Sequence, residues 1–181
     1  KLNNKLNKNY LTVFKKIVKN LDTPQETLFS LSNKFKLNFK KKDFKKQKRF
    51  KTIVIIGMGG SILSSEAIYY FLKKKIKKNF IFLNDLNEEQ LKELKKRKKF
   101  KSFLFIIISK SGNTIETLSN LLALKIIKKS SKNLIIISEK NNNSLFSITK
   151  KMQLTHIEHK KYIGGRFSVF SDVGMLPAYL M

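Results

Sequence analysis

The chain has no cysteine. A disulfide framework and a thiolate metal site are therefore excluded. Long apolar runs are missing too. The longest lie around Thr52–Ile56, Phe103–Ile108 and Leu134–Ile137, far short of the roughly 20 residues that a membrane-spanning helix needs. No secretory pattern opens the sequence. These absences set the expectation of a cytoplasmic protein with no membrane partner.

Acids and arginines are scarce. Asp and Glu total 12 against 39 Lys and Arg, a formal net charge of +27. Such a charge invites a nucleic-acid reading. Two features argue against it. Only Arg49, Arg97 and Arg166 are arginines, and the lysines come with abundant Ile, Asn and Phe. These residues share A/T-rich codons, so codon bias alone yields the profile without selecting a partner. The lysines are also scattered, over Lys40–Lys51, Lys73–Lys78, Lys92–Lys101 and Lys128–Lys132. They fall mostly at helix ends and connections, where solvated lysine is ordinary. No nucleic-acid partner is expected, although a basic exterior still attracts an anionic substrate.

What is present is enough for one globular domain: 181 residues, 41% of them hydrophobic. Residue 1 is Lys rather than Met, and the chain stops at Leu180–Met181 inside an apolar segment. The expectation is a piece of a longer protein.

Residues 1–35 read as helices, with Tyr10, Phe14, Ile17, Val18 and Leu21 at helical spacing. A helix start is predicted at Asp22–Glu26: Thr23 as N-cap, Pro24 in the first turn and Glu26 closing a capping box. Residues 36–51 are lysine-rich with spaced Phe and Leu, and read as an irregular connection. From Lys51 onward strands and helices alternate. The predicted strands are Thr52–Ile56, Phe80–Leu83, Phe103–Ser109, Leu134–Ser138 and Leu154–Ile157. The predicted helices are Ser64–Lys73, Asn87–Lys98, Asn113–Lys128 and Asn143–Lys151. Ala67, Ile68, Phe71 and Leu72 are expected to face inward on the first of these. Ile115, Leu118, Leu121, Leu122 and Ile126 form the expected apolar stripe of the third. The alternation predicts an α/β fold, a doubly wound five-stranded parallel sheet with right-handed crossovers, preceded by N-terminal helices.

In such a sheet ligands bind beyond the carboxyl ends of the strands. The first strand is followed by Gly57–Met58–Gly59–Gly60–Ser61, the third by Ser109–Lys110–Ser111–Gly112–Asn113–Thr114. Each leads into a helix N-terminus, where free N–H groups favour an anion. Glycine allows close backbone approach, and the hydroxyls add donors. Side by side, the two loops would surround one phosphate without a metal or other cation. A purely structural turn in the second loop would need one N-cap, from Asn113 or Ser111, yet four hydroxyl or amide side chains crowd it. A dinucleotide fingerprint needs a glycine two residues after Gly60, where Ile62 stands, although Asp85 mimics its ribose-binding acid. A Walker loop is absent.

A third cluster, Ile163–Gly164–Gly165–Arg166–Phe167–Ser168–Val169–Phe170–Ser171, follows the fifth strand. Codon bias would erase an arginine that lysine can replace. Arg166 therefore suggests a need for a planar fork of donors toward an oxyanion or carboxylate. The competing reading is a structural ion pair. His156 and His159 read as structural, and Glu116 as a helix-start carboxylate or a supporting residue behind the loop.

Taken in order, Gly57–Ser61, Ser109–Lys110–Ser111–Gly112–Asn113–Thr114–Ile115–Glu116–Thr117, Gly164–Ser168 and Val173–Gly174–Met175–Leu176–Pro177 resemble the glucose-6-phosphate isomerase family. The resemblance covers roughly Lys51 to Met181. It implies a first sugar-isomerase (SIS-type, flavodoxin-like) domain at 51–181, after a helical segment and basic connection at 1–50, with a second such domain downstream. It implies interconversion of glucose 6-phosphate and fructose 6-phosphate through a cis-enediol, without cofactor or metal, by a homodimer. Ser61, Ser109, Ser111 and Thr114 would hold the phosphate through hydroxyls, and Gly60, Lys110, Gly112 and Asn113 through the backbone. Arg166 would stabilise the enediol, with Gly165 letting substrate lie close. The family's base glutamate, ring-opening histidine and late lysine have no counterpart here. Ser-Lys-Ser-Gly-Asn-Thr, where larger members carry Ser-Lys-Thr-Phe-Thr-Thr, points to a bacterial subtype or a bifunctional phosphoglucose/phosphomannose isomerase. The alternative is a non-catalytic sugar-phosphate-binding or sensing module.

Overall fold

The computed structural model describes residues 2–97 and 100–181, with side chains from residue 6 onward. Lys1 and Lys98, the predicted outer ends of two helices, lie outside the described residues. Five strands form one all-parallel sheet: β1 (Thr52–Gly57), β2 (Asn79–Leu83), β3 (Phe103–Ile108), β4 (Leu134–Ser138) and β5 (Thr155–Glu158). Their order is β2-β1-β3-β4-β5. The fold class is as expected, a doubly wound α/β sheet of the flavodoxin-like order.

The central strands β1, β3 and β4 form because their sequences are nearly uninterrupted, mostly branched apolar runs that need cover on both faces. One face buries Ile53, Ile55, Leu104, Ile106, Ile108, Ile135 and Ile137 against Ile62 and the final helix (Val173, Leu176 and Leu180). The other buries Val54, Ile56, Phe105, Ile107 and Ile136 against Leu94, Leu121, Leu124 and Leu145. The covering helices are α2 (Gly60–Leu72), α3 (Glu88–Lys96), α4 (Ile115–Ala123), α5 (Ser144–Met152) and α6 (Asp172–Leu180). β1 and β3 are neighbours while β2 lies on the far side of β1, so the winding direction switches between β1 and β3. That is where such sheets open a crevice.

Several local expectations need correction. On α2, Phe71 is 88% exposed and Ala67 is exposed, while Ser61, Ile62, Ser64 and Ser65 face inward. The inner face is small and polar because neighbouring backbone comes close: Ser65 Oγ donates to the Val173 carbonyl at 3.2 Å. On α4, Ile115 and Leu122 are exposed and Thr117, Asn120 and Leu121 are buried. The helix ends at Ala123 rather than Lys128, since Lys125 adopts a left-handed φ of 52°. No α-helix starts at Thr23. Residues 22–26 form a turn, and a 3₁₀ helix follows at Thr27–Leu31 without a side-chain cap. Residues Lys41–Arg49 are not irregular but 3₁₀-helical, and they bury Phe44.

At the N-terminus, α1 (Leu2–Leu21) touches mainly the Thr27–Leu31 turn and leaves Tyr10, Phe14, Ile17 and Val18 exposed. Residues 38 and 39 are tied to the last helix. The buried Asp172 carboxylate accepts from the N–H groups of Asn38 at 2.7 Å and Phe39 at 3.1 Å. Burial pushes the Asp172 carboxyl pKa above the usual range, although these N–H bonds pull the other way.

Candidate active site

The turn after β1 is very short, with α2 beginning at Gly60. Its start is crowded by a 3₁₀ turn at Gly165–Phe170, which the sequence reading missed. A Cβ on Gly60 would fall 2.2 Å from the Gly165 carbonyl carbon and 2.7 Å from the Arg166 nitrogen. Only glycine permits that approach. Ser168, wholly buried, ties the joint: its Oγ donates to the Gly165 carbonyl at 2.6 Å and lies 3.3 Å from the Gly60 carbonyl. Arg166 is exposed and forms no ion pair or hydrogen bond with a described residue. The structural ion pair considered for it is therefore absent among the described residues.

The turn after β3 is held differently. Ser109 is 2% exposed, and its Oγ lies 2.8 Å from Thr114 Oγ1 while accepting from the Gly112 N–H at 3.1 Å. Ser111 Oγ accepts from the Asn113 N–H at 3.3 Å and lies 3.5 Å from Thr114 Oγ1. The N-cap of α4 is Thr114, not Asn113 or Ser111, and its side chain makes no capping bond. Its hydroxyl is turned across the loop to Ser109 instead. Asn113 points elsewhere: its Oδ1 accepts from the Ser144 N–H at 2.9 Å.

Because β1 and β3 are adjacent, the two loops share one open cavity of about 380 Å³. Ser61 lines it from the first loop, Lys110, Ser111 and Thr114 from the second, and Glu139 and Asn141 from the turn after β4. Ser109 lies beneath it, buried. Gly60, Gly112 and Asn113 shape the loops without lining it, and Gly165 and Arg166 abut the start of α2. Glu139 and Asn141 were missed. The rule that residues just after a strand face the ligand crevice, applied to β4 as to β1 and β3, would have found them. The Glu139 carboxylate is compensated: Lys110 Nζ lies 3.8 Å from it and Asn141 Nδ2 donates to it at 2.9 Å.

Both histidines are structural in their contacts. His156 Nε2 lies 3.0 Å from Ser138 Oγ, and burial lowers its pKa. His159 is 2% exposed, with Nδ1 3.1 Å from the Lys160 carbonyl and Nε2 unpartnered. Desolvation pulls its pKa down to about 4. Among the described residues no group of three His, Asp or Glu side chains is placed to hold a metal ion, and no helix is long and apolar enough to cross a membrane.

Comparison with known proteins follows the same lines. The glucose-6-phosphate isomerase of Borreliella burgdorferi (strain ZS7) is 37% identical over 140 residues, covering 71% of this chain and 26% of the relative. That of Methanocaldococcus jannaschii is 36% identical over 149 residues, covering 75% and 34%. Among solved structures, a glucose-6-phosphate isomerase from Chlamydia trachomatis superposes with a TM-score of 0.62 at 25% identity, covering 75% of this chain and 27% of that one. The chain thus spans about a quarter to a third of the length of these relatives. The profile of the phosphoglucose isomerase family matches residues 2–181, and the chain belongs to that family.

Proposed function

We propose that this chain supplies the phosphate-holding and charge-stabilising part of a glucose-6-phosphate isomerase active site. The observation that carries the reading is the shared cavity at the switch point. There Ser61 of one loop faces Ser111 and Thr114 of the other, with Ser109 bonded beneath them. Hydroxyls and backbone amides in a concave polar site suit a phosphate monoester.

In the proposed reaction Ser61, Ser109, Ser111 and Thr114 hold the phosphate by their hydroxyls, and Gly60, Lys110, Gly112 and Asn113 by the backbone. Holding one end of the substrate orients the reacting carbons. The substrate's C2 proton is removed to give a cis-enediol and returned at C1, converting aldose to ketose. Arg166, exposed beside Gly165 and without an ion-pair partner among the described residues, stabilises the negative charge that develops on the enediol oxygens. The proton-transferring groups lie outside this chain, in a second domain of the same protein. The complete enzyme acts as a cytoplasmic homodimer without cofactor, and this segment alone does not turn over substrate. Residues 51–181 form the first sugar-isomerase domain.

The test is an isomerisation assay of glucose 6-phosphate with the intact protein. Ser109→Ala with Thr114→Ala should raise KM about 100-fold, as expected for losing two hydrogen bonds to a charged group. Arg166→Lys should lower kcat by about 100-fold with KM nearly unchanged, the pattern of an interaction made in the transition state. An intact protein that binds sugar phosphate without turnover would replace the enzyme reading with a binding module.

A further inference from the structure

The turn after β4 does more than contribute Glu139 and Asn141 to the cavity wall. It clamps the second phosphate loop from behind. The Glu139 N–H donates to the Lys110 carbonyl at 3.0 Å, and the Leu145 N–H to the Gly112 carbonyl at 3.1 Å. A trans peptide is planar, with its C=O and N–H pointing in opposite directions. Holding the Lys110 carbonyl therefore turns the Ser111 N–H away from the clamp. Holding the Gly112 carbonyl does the same for the Asn113 N–H, which points to the Ser111 hydroxyl on the cavity wall.

Asn143 is the centre of the clamp. It is 5% exposed. Its Oδ1 caps α5 by accepting from the Phe146 N–H at 2.9 Å, and its Nδ2 donates to the Glu139 carbonyl at 2.8 Å. It sits directly under Gly112, where a Cβ would lie 1.8 Å from Asn143 Oδ1. Asn113 is the outer strut, through the Ser144 N–H. The first-turn N–H groups of α5 are normally free to meet an anion. Here those of Ser144, Leu145 and Phe146 go to Asn113, Gly112 and Asn143. The end of α5 is a vice, not a second anion site.

We propose that Asn143 and Asn113 are positioning residues of the phosphate site: through the β4–α5 turn they aim the Ser111 amide at the phosphate and the Asn113 amide at the Ser111 hydroxyl that meets it. This rests on the phosphate reading above. It adds residues that touch no substrate by their side chains.

The experiment uses the intact protein with glucose 6-phosphate as substrate and inorganic phosphate as competitive inhibitor. Asn143→Ala should raise KM and the phosphate Ki together by about tenfold, the worth of one to two hydrogen bonds, with kcat within about twofold. Asn143→Asp keeps the cap for Phe146 but loses the Nδ2 donor and adds a charge under the loop, so its phosphate Ki should rise further. Asn113→Ala, at an exposed position, should raise both constants about threefold. A folded Asn143→Ala with unchanged KM and Ki overturns the proposal, and so does a fall in kcat with both constants unmoved. Should Asn143→Ala fail to fold, Asn113→Ala decides alone, and an unchanged Ki overturns it. A wild-type protein that neither binds phosphate nor isomerises the sugar overturns the phosphate reading itself.

Discussion

The two loops proposed to hold the phosphate share a strand–turn–helix plan and a cavity but are secured by different physics. The first, Gly57–Ser61, is held chiefly by contact between backbones, with the Ser168 hydroxyl adding a side-chain tie to the Gly60 carbonyl. Gly60 lies so close to Gly165 and Arg166 that no side-chain atom fits between them. The second, Ser109–Thr114, is held by directed hydrogen bonds from the β4–α5 turn and among its own hydroxyls. A steric joint has almost no tolerance, because protein interiors are close-packed. A hydrogen-bonded joint loses its bonds one at a time. The difference divides labour: the first joint fixes where Arg166 stands relative to the cavity, and the second sets the aim of the amides.

The sharpest way to break this contrast is Gly60→Ala. A single methyl must displace the Gly165–Phe170 turn. We expect a stability loss of about 1–3 kcal/mol, read as a lower thermal midpoint. Turnover in the intact protein should fall by about 100-fold, since a misplacement of about 1 Å suffices for that. Retained turnover would show that Arg166 is positioned independently of the first loop. Next comes Gly112→Ala. At φ 68° a Cβ costs about 1–2 kcal/mol by itself, and the overlap with Asn143 adds to it. Combining it with Asn143→Ala removes the overlap but not the strain. The double variant should therefore be less destabilised than the sum of the singles in a denaturant titration. Strict additivity would mean that the second loop is not seated on Asn143.

The smallest effect at neutral pH belongs to His159, which borders the second loop's supports but not the first's. Its N–H donates to the Ser138 carbonyl at 2.8 Å, and it shares a surface cavity with Glu139 and Asn141. The unfolded histidine takes up a proton near pH 6.5, the folded one only near 4. The stability it supports is thus complete above pH 6.5 and is lost as pH falls toward 4, on the order of 3 kcal/mol in all. His159→Leu should flatten stability against wild type across that window while changing little at pH 7.5. An unchanged slope would mean that His159 is hydrated in the folded protein.

These effects bear on what the sequence could reveal. The strands were legible because Thr52–Ile56, Phe103–Ile108 and Leu134–Ser138 are apolar on both faces, with no second way to be buried. The loops that meet at the cavity stood out because glycine and several hydroxyls crowd the ends of β1 and β3. Helix faces did not. Ser64 and Ser65 turn inward and Phe71 outward, because at those positions α2 meets the buried Ser168 hydroxyl and the Val173 carbonyl, and hydrophobic periodicity cannot register that. Thr23–Pro24–Glu26 carries every mark of a helix start, yet the chain turns there instead. Residues 27–44 find their partners far along the sequence, and local propensity yields to them. The brace around Asn143 was hidden for a similar reason: its value lies in Gly112 and Glu139 above it, not in its neighbours along the chain.

The Asp172 carboxylate that anchors Asn38 and Phe39 bears on the order in which contacts form as well as on the shape of the product. The hydrogen bonds involved span 134 and 133 residues, and Tyr179 closes on Lys41 across 138. A chain made from its N-terminus cannot form these contacts until residues 172–179 have left the ribosome. Until then Phe39 and Phe44 lack the part of their core cluster that α6 supplies, Val173, Leu176 and Leu180. That segment is made before the helix that covers it, and contacts so distant in sequence are intrinsically slow to form.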